Sequence, residues 1–456
     1  MVRKVSDVEV LRGKRIAFVT SGYAGKRFIY EKAKNLGVIS TIIDSPTSWA
    51  KSLVDEGVIE TFIGVDFGQP VESVVADILH AVRDRDIHLD GVCTFAELSL
   101  PITAKLAACL ELPGNEPDVV ALTRDKHKVR KIVAGAGLNE IRSYPVKTVD
   151  DLASAAHHVG FPAVLKPISG ADSLGVKKVN TETELAQAFE QMYEVMHGLV
   201  VSSGALLRTP AGTPVVPSEN AGRFIQLDLS MEEYLDGPEV DVDIVLHKGE
   251  CYFGAVVDNG PTKEPYFAET WNLCPSLLSV GQQEELLAEA LATLKALGFQ
   301  DGVFHVEEKY TNRGPRIIEV NARMGGGPIR LQHKYVYGVD LVVEQLLSCI
   351  GLAPSVDCES RLAVPLEPNR CYVSSTPNAV RSGIVKNLSF LDHVKTRPDL
   401  LGLWEFIQPD TQVVGPEEGQ PSWLCEVAIV GNKGSKELLR SMNELVDTIL
   451  SHVEYH

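Results

Sequence analysis

The chain has 456 residues, of which 45% are hydrophobic and 23% are charged, a composition typical of a folded globular protein and unlike that of a disordered one. Its 43 basic and 61 acidic residues give a net charge of −18, which disfavours nucleic acid and anionic membranes as partners because no run of Lys and Arg opposes it. The start lacks the apolar core of a signal peptide, and no apolar stretch reaches the ~18 residues of a membrane span. We therefore expect a cytoplasmic protein of two to four domains.

The first part of the chain alternates short apolar runs with helical patterns. RIAFVT, STIIDS, TFIGVD and DGVCTF are typical of buried strands, and helical spacing separates them. Such alternation predicts a parallel α/β domain over residues 1–122. Gly22 and Gly25 do not complete a GxGxxG pattern, and no GxxxxGK[ST] occurs, so the chain has neither a dinucleotide fingerprint nor a P-loop.

A second region, residues 123–228, begins with a helical pattern for which Thr123 is the expected N-cap. FPAVLKP and VKKV are predicted strands around the loop SGADSLG, and a capping box at Thr181 and Glu184 predicts a helix. The stretch 199–222 lacks periodicity and is rich in Gly, Pro and Ser, so we expect a loop or an insertion there.

The rest of the chain predicts an antiparallel sheet and a final lobe. Residues 229–365 contain several alternating strands and the long helical pattern EELLAEALATLKAL, which indicates a sheet with a helix across it. In residues 366–456, Pro and Gly become frequent, short strands follow, and KELLRSMNELVDTILSHV predicts a closing helix.

The segment VFHVEEKYTNRGPRIIEVNAR predicts a β-hairpin, because a turn signal near Arg313 separates two alternating strands. An antiparallel register about this centre sets three pairs opposite each other: Glu307 and Glu319, His305 and Asn321, Val303 and Arg323. Period-two alternation then gives the hairpin one polar face and one apolar face, the latter formed by Phe304, Val306, Ile318, Val320 and Ala322.

Two facing carboxylates repel each other and call for a cation. Mg²⁺ fits, because it prefers carboxylate and amide oxygens and commonly binds through one or two carboxylates and the phosphates of a nucleotide. A solvated hairpin face neutralised by Arg323 and Lys309 fits the same spacing. His305, two residues before Glu307, fits either contact with a substrate or phosphate or a hydrogen bond to a neighbouring side chain.

Two further segments have a less specific pattern. Lys126 in TRDKHKVRK and Lys166 at the end of a strand, beside a Gly- and Ser-rich loop, can surround a polyphosphate, although Lys126 taken singly is more typical of a protein surface. The strand of MEEYLDGPE runs into a Gly-Pro turn and can offer backbone groups to a planar base and a carboxylate to a ribose, and an ordinary edge strand has much the same pattern.

In this order, from Asp125-Lys126 to IIEVNARMGGG, the segments resemble the ATP-grasp superfamily over roughly residues 10–365. The resemblance implies a multidomain fold with α/β and α+β parts: an N-terminal parallel α/β domain, two ATP-grasp subdomains that clamp ATP and Mg²⁺, with Mn²⁺ as a substitute, and a small C-terminal lobe. The corresponding ranges are 1–122, 123–228 (phosphate loop), 229–365 (metal and substrate site) and 366–456.

The resemblance also implies roles for individual residues. For the phosphates, it implies contacts from Lys126 and Lys166 and a loop over the triphosphate with Ser169, Gly170, Ser173, Gly175 and Val176. For the nucleoside, it implies an adenine-binding hinge with Glu232, Glu233 and Leu235 and a ribose contact from Glu239. The implied magnesium ligands are Glu307, Glu319 and Asn321, and Arg323 is the implied arginine that stabilises an acyl phosphate. Lys166 and Arg323 are the expected catalytic residues.

The MGGG after Arg323 and the YFAETWNLCPS segment resemble the amino-acid (dipeptide) ligase branch, which includes carnosine synthases and bacterial L-amino acid ligases. This branch implies ADP-forming synthesis of an amide between two amino acids through an acyl phosphate. The implied substrate residues are Glu269, Asn272, His305, Gly326, Arg330 and Arg323. Relatives often dimerise, so a homodimer is compatible with the resemblance.

Two other functions stay open on the sequence. One is an ATP-grasp carboxylase or purine-pathway-type ligase that acts on a carboxylate other than an amino acid. The other is a non-catalytic nucleotide-binding module, which would tolerate loss of Glu319, Asn321 or Arg323, whereas all three are present.

Overall fold

The computed structural model describes residues 8–168, 175–197, 199–202, 205–208, 228–327, 329–356, 362–367, 369–418 and 421–456. Ser169, Gly170 and Ser173 of the predicted phosphate loop lie outside these ranges. Within them, no helix is both long and apolar enough to cross a membrane.

The N-terminal part is a four-stranded parallel sheet in the order β3-β2-β1-β4, as the alternating pattern predicts. Apolar side chains on both faces of this sheet are buried, which explains why its strands read as continuous apolar runs. Its elements are β1 (Arg15–Val19), α1 (Arg27–Asn35), β2 (Ile39–Asp44), β3 (Thr61–Gly64), α2 (Val71–Asp84), β4 (Gly91–Cys93) and α3 (Leu100–Cys109).

Two helices, α4 (Pro117–Leu122) and α5 (Lys126–Gly135), lead out of this sheet. The expected cap at Thr123 is wrong: helix α5 begins three residues later, where the Asp125 side chain accepts a hydrogen bond of 3.0 Å from the Lys128 amide. A carboxylate at an N-cap satisfies a free amide and interacts well with the helix dipole. Lys126 is therefore the first residue of α5.

The second region forms a four-stranded sheet in the order β5-β10-β6-β7, with two helices packed on it. Part of the stretch 199–222 is a two-stranded antiparallel hairpin, so the expected loop is wrong for those residues, and residues 209–222 lie outside the described ranges. The elements are β5 (Ser143–Val146), α6 (Leu152–Val159), β6 (Ala163–Pro167), β7 (Lys177–Val179), α7 (Glu182–His197), β8 (Leu199–Ser202), β9 (Ala205–Arg208) and β10 (Leu229–Glu233).

An eight-stranded sheet in the order β15-β14-β11-β12-β13-β16-β20-β18 dominates the remainder. Helix α8 covers one face, and α9 and α10 pack in the core between the other face and the N-terminal sheet. Its first elements are β11 (Glu239–His247), β12 (Glu250–Asn259), β13 (Trp271–Cys274), α8 (Val280–Leu297), β14 (Gly302–Thr311), β15 (Gly314–Asn321), α9 (Ile329–Tyr337) and α10 (Leu341–Cys349).

The C-terminal residues extend this same sheet, because β16 pairs with β13 and β20 pairs with β16. The sheet is thus continuous across residue 366, the expected start of the final lobe. A closing helix packs on the added strands, as predicted. The elements are β16 (Cys371–Ser375), β17 (Gly383–Val385), α11 (Asp392–Lys395), β18 (Leu400–Glu405), β19 (Thr411–Val413), β20 (Cys425–Gly431) and α12 (Ser435–Ser451).

Strands β14 and β15 form the predicted hairpin, with Glu307 opposite Glu319 and His305 opposite Asn321. The register shifts between Glu307 and Glu308, so Ile317, and not Ile318, packs in the core below the sheet. The expected inward position of Ile318 is wrong, because a bulge moves every residue beyond it to the opposite face.

Candidate functional site

We call the four-stranded sheet β5-β10-β6-β7 the small sheet and the eight-stranded sheet the large sheet. A cavity of about 560 Å³ is lined by residues of the N-terminal part, the small sheet, the large sheet and the C-terminal part. Most of the residues that the sequence predicts for a site line this one cavity. They are Lys126, Lys166, Val176, Glu232, Glu233, Leu235, Glu239, Glu269, Asn272, His305, Glu307, Glu319, Asn321, Arg323 and Gly326.

Two predicted residues within the described ranges do not line the cavity. Gly175 has a left-handed backbone with a φ of 73° and directly precedes the cavity residue Val176. Arg330 is on helix α9, and its guanidinium carbon lies 3.3 Å from the centroid of the Phe28 ring of the N-terminal domain. Their proposed contacts with phosphate and substrate stay predictions.

The two lysines approach the cavity from different elements and each pairs with a carboxylate. Lys126 Nζ lies 2.9 Å from Glu319 Oε1, and Lys166 Nζ lies 2.7 Å from Glu232 Oε2. Burial lowers the pKa of Lys166, and the nearby Glu232 carboxylate opposes that effect. Helix α5 and strand β6 thus position the two ammonium groups around one space.

Glu232 is the centre of a buried ion network. The Arg130 guanidinium donates to both of its oxygens, at 3.1 and 3.0 Å, and Lys166 pairs with it from the other side. Burial would raise the pKa of the Glu232 carboxyl, but Arg130 and Lys166 outweigh burial and lower the pKa to about 2. The network therefore fixes Lys166 relative to helix α5.

The neighbouring Glu233 pairs with Arg142 and Arg313, at 3.0 and 2.9 Å. The carboxylates of the predicted hinge are therefore engaged by cations. Leu235 and Ile318, by contrast, offer apolar side chains to the cavity, and this arrangement suits a planar base. The bulge in β15 explains how Ile318 reaches this wall.

Glu307 and Glu319 line the cavity from adjacent strands, with Asn321 two residues further on. Burial, followed by repulsion from Glu319, raises the pKa of Glu307 to about 8, and the nearby His305 opposes this effect only in part. Two carboxylates and an amide oxygen on one sheet face are a donor set that suits Mg²⁺. Across the described ranges, no cluster of three or more His, Cys, Asp or Glu is arranged for a metal, so the candidate site depends on these three residues.

His305 is held by hydrogen bonds and also lines the cavity. Its Nδ1 lies 2.9 Å from Asp243 Oδ1, and His333 Nε2 lies 2.6 Å from the other oxygen of the same carboxylate. Burial disfavours the charged imidazolium, but Asp241 and Asp243 outweigh it and raise the pKa of His305 to about 10. His305 is therefore a cation fixed beside Glu307.

Glu269 and Asn272 flank the cavity near the start of β13. Glu269 is exposed there, and its carbonyl accepts a hydrogen bond of 3.1 Å from Asn378. Asn272 donates to the Asn259 side chain, which in turn donates to Asp241 at 2.8 Å. Since Asp241 Oδ1 lies 3.7 Å from His305 Nε2, a polar chain connects this part of the cavity to His305.

Sequence reasoning missed the cavity residues that come from the N-terminal domain. Glu97 is 6% exposed and lies 2.7 Å from Arg124 and 2.5 Å from Arg323. Tyr23 and Lys26 also line the cavity. A signal was available, because these residues follow β1 and β4, and ligands of open parallel sheets bind at the carboxyl ends of the strands.

Four further cavity residues come from the C-terminal part: Thr376, Phe406, Trp423 and Glu426. Their local sequence has no motif that indicates a site. Tertiary packing alone brings them to the cavity.

Three family models match the chain. The "ATP-grasp N-terminal domain" matches residues 30–114, the "Carbamoyl-phosphate synthase L chain, ATP binding domain" residues 125–201, and the "ATP-grasp domain" residues 220–330. Together they span the predicted nucleotide site on both sides of the cavity.

Curated relatives include ligases. The chain is 30% identical to carnosine synthase 1 of Homo sapiens over 442 residues, which are 94% of this chain and 50% of that protein. It is 28% identical to the alanine–anticapsin ligase of Bacillus subtilis over 318 residues, or 68% of this chain and 63% of that protein. The chain thus spans about half the length of the carnosine synthase that it matches.

Among solved structures, the L-amino acid ligase from Bacillus licheniformis superposes with a TM-score of 0.77 at 22% identity. The match covers 98% of this chain and 99% of that chain. At this identity the comparison shows a shared fold.

Proposed function

We propose that this chain is an ATP-grasp enzyme, an ATP- and Mg²⁺-dependent ligase that joins two amino acids by an amide bond. The ATP-grasp family models that match residues 30–114 and 220–330 and the fold shared with an L-amino acid ligase support this proposal. The names of its relatives, carnosine synthase and alanine–anticapsin ligase, support amino acids as the substrates. A carnosine-like dipeptide is one candidate product.

One observation carries the proposal: a single cavity collects two lysines, two facing carboxylates and an arginine. Phosphoryl transfer needs this combination, because its catalysis depends on positioning and on charge stabilisation around the phosphoryl oxygens. The chain needs no covalent nucleophile of its own for such chemistry.

The walls of the cavity support a nucleotide site. Leu235 and Ile318 would cover the base, Glu239 would contact the ribose, and Lys126 and Lys166 would contact the phosphates. Glu307, Glu319 and Asn321 would hold Mg²⁺, which neutralises charge on the phosphoryl oxygens when bound. The Lys126 ammonium, now paired with Glu319, is within reach of the same space.

The proposed first step is attack of a substrate carboxylate oxygen on the γ-phosphorus of ATP. The bond between this phosphorus and the β–γ bridging oxygen breaks, ADP leaves, and an acyl phosphate forms. Arg323 would stabilise the transferred phosphoryl group, and Glu97 orients its guanidinium from the N-terminal domain. Glu97 is a positioning residue in this scheme.

The second step is attack of the amine of the second amino acid on the acyl carbon. The carbon–oxygen bond to phosphate breaks, inorganic phosphate leaves, and the amine loses a proton as the amide forms. Glu269 would hold the amino group of the first amino acid, with Asn272 beside it. Burial of the reacting groups limits hydrolysis of the acyl phosphate by water.

The substitution Glu319→Gln tests the proposal, because it removes one of two facing carboxylates while nearly preserving side-chain volume. We expect at least a 100-fold loss of amino-acid-dependent ATP turnover with an unchanged circular dichroism spectrum. Glu284→Gln, on the exposed side of α8, is the matched control and should retain full activity. Full turnover by the Glu319 variant would remove the basis for the metal site.

A further inference from the structure

Glu426, on strand β20, is a buried carboxylate that the proposed reaction does not use. It is 9% exposed, and the part of it that remains open faces the cavity. Among the described residues, no hydrogen bond reaches its carboxylate and no Lys or Arg nitrogen lies within 4.0 Å of it. A buried carboxylate without a partner is costly, which favours a cationic ligand.

The closest cationic influence on Glu426 comes from Arg330 on helix α9. Burial raises the pKa of the Glu426 carboxyl to about 7, and Arg330 only partly opposes this effect. The Arg330 guanidinium is stacked on Phe28 instead of pairing with the carboxylate. The protein itself therefore compensates the charge of Glu426 only in part.

Two aromatic residues that line the same cavity lie next to the start of β20: Trp423 is three residues before Glu426, and the Phe406 amide donates to the Leu424 carbonyl at 3.2 Å. The rings of Phe406 and Trp423 are 6.0 Å apart at an angle of 42°, and Phe406 is 43% exposed. Aromatic faces attract cations, and a carboxylate next to them adds a charge-assisted hydrogen bond. Together they suit an organic cation with an apolar stem.

The loop after Arg323 passes close to both His305 and Glu426. A Cβ on Gly325 would lie 2.7 Å from His305 Nδ1, and a Cβ on Gly327 would lie 3.8 Å from Glu426 Oε2. Since two residues of chain span at most ~7 Å, one extended amino acid can reach from one end of this loop to the other. Glycine at 327 also keeps the approach to Glu426 open.

We propose that Glu426, Trp423 and Phe406 form a specificity subsite for the basic side chain of one of the two substrates: an ammonium, guanidinium or imidazolium group. The identity of that substrate as one of two joined amino acids rests on the proposed function. The subsite itself rests on the cavity, the unpaired carboxylate and the two rings.

The first test is direct binding, measured by isothermal titration calorimetry with Mg²⁺ and a non-hydrolysable ATP analogue. Arginine is compared with citrulline, which has nearly the same shape and no charge. We expect arginine to bind at least 10-fold more tightly to the unmodified protein, and Glu426→Gln to reduce that ratio to within about 3-fold. Glu444→Gln, an exposed position on α12, is the matched control and should keep the full ratio.

The second test is amide formation with lysine, arginine or histidine against norleucine, citrulline or glutamine. Equal binding and equal turnover of basic and neutral partners would refute the subsite while leaving the ligase function standing. Failure of every pair to form an amide would refute the proposed function, and the arginine-to-citrulline binding ratio would still decide the subsite. An equal loss of both ligands in Glu426→Gln would indicate a change of shape and contradict the charge argument.

Discussion

The substitution Glu232→Gln should destabilise the contact between helix α5 and the small sheet. It removes the charge that two buried cations share, because Arg130 and Lys166 both pair with this carboxylate. A glutamine at this position can still accept hydrogen bonds, but it leaves the two positive charges facing each other.

Two independent magnitudes agree on the size of the effect. A pKa lowered from 4.5 to about 2 corresponds to roughly 3 kcal/mol of interaction that favours the ionised form. Removing one partner of a buried ion pair costs about 3–5 kcal/mol in other proteins. Either figure is a large part of the ~5–15 kcal/mol by which domains are stable.

The neighbouring substitution Glu233→Gln is a matched control. Glu233 is similarly buried, but the side chains of its partners Arg142 and Arg313 are 58% and 49% exposed, so water can solvate them once the carboxylate is gone. Exposed pairs contribute about 1 kcal/mol or less. We therefore expect Glu233→Gln to be at least ~2 kcal/mol less destabilising than Glu232→Gln.

Hydrogen exchange measured by mass spectrometry on peptides of β6 and β10 reads this difference locally. At pH 7, Glu232→Gln should speed their exchange on the order of 100-fold, and Glu233→Gln less than 10-fold. Because the pKa of Glu232 is lowered, its contribution to the free energy of unfolding is present above pH 4.5 and is lost as the pH falls towards 2. The exchange rates of the two variants should therefore converge near pH 2. Equal exchange of the two variants at pH 7 would refute the account of the buried network.

Three other changes test separate parts of the site. Glu269→Ala should raise KM for the amino acid whose amino group it holds more than KM for ATP, whereas equal increases would argue against that contact. Between pH 6 and 8, the affinity for arginine should rise up to ~10-fold because Glu426 ionises in this range. Arg330 and Tyr372, which face Glu426, keep their charge states over the same range, so Glu426→Gln should abolish the rise measured by calorimetry. Gly237→Ala should lower the free energy of unfolding by about 2 kcal/mol more than Gly314→Ala. Both glycines have a φ above 80°, but only a Cβ at 237 would meet a backbone oxygen, that of Tyr310 at 2.1 Å, so similar urea midpoints of the two variants would contradict this.

Local regularity made the central hairpin predictable. Period-two alternation and one turn signal were enough to pair Glu307 with Glu319 and His305 with Asn321. The same argument misplaced Ile318, because a bulge adds one residue to a strand without leaving a mark in its alternation. The cap of α5 was misplaced for a related reason, since Thr123 and Asp125 are both good caps and only the packed chain selects between them.

Residues that tertiary packing brings to the cavity were harder to find. Glu97 and Arg323 are 226 positions apart, a separation that follows from their numbers in the sequence, and nothing local to either one indicates that they pair. Glu426 is still more difficult, because it lies within an ordinary apolar strand. Its place at the cavity becomes evident only once β20 is placed beside the loop of Gly327.

The most direct test of the central claim is an assay of the purified chain with ATP and Mg²⁺ against pairs of amino acids, including β-alanine and GABA. It reads ADP, AMP and phosphate, with mass spectrometry of the products. The account predicts ADP and phosphate released only with a particular pair, together with a product whose mass is that of the two amino acids minus water. Release of AMP and pyrophosphate, or no product with any pair, would contradict it.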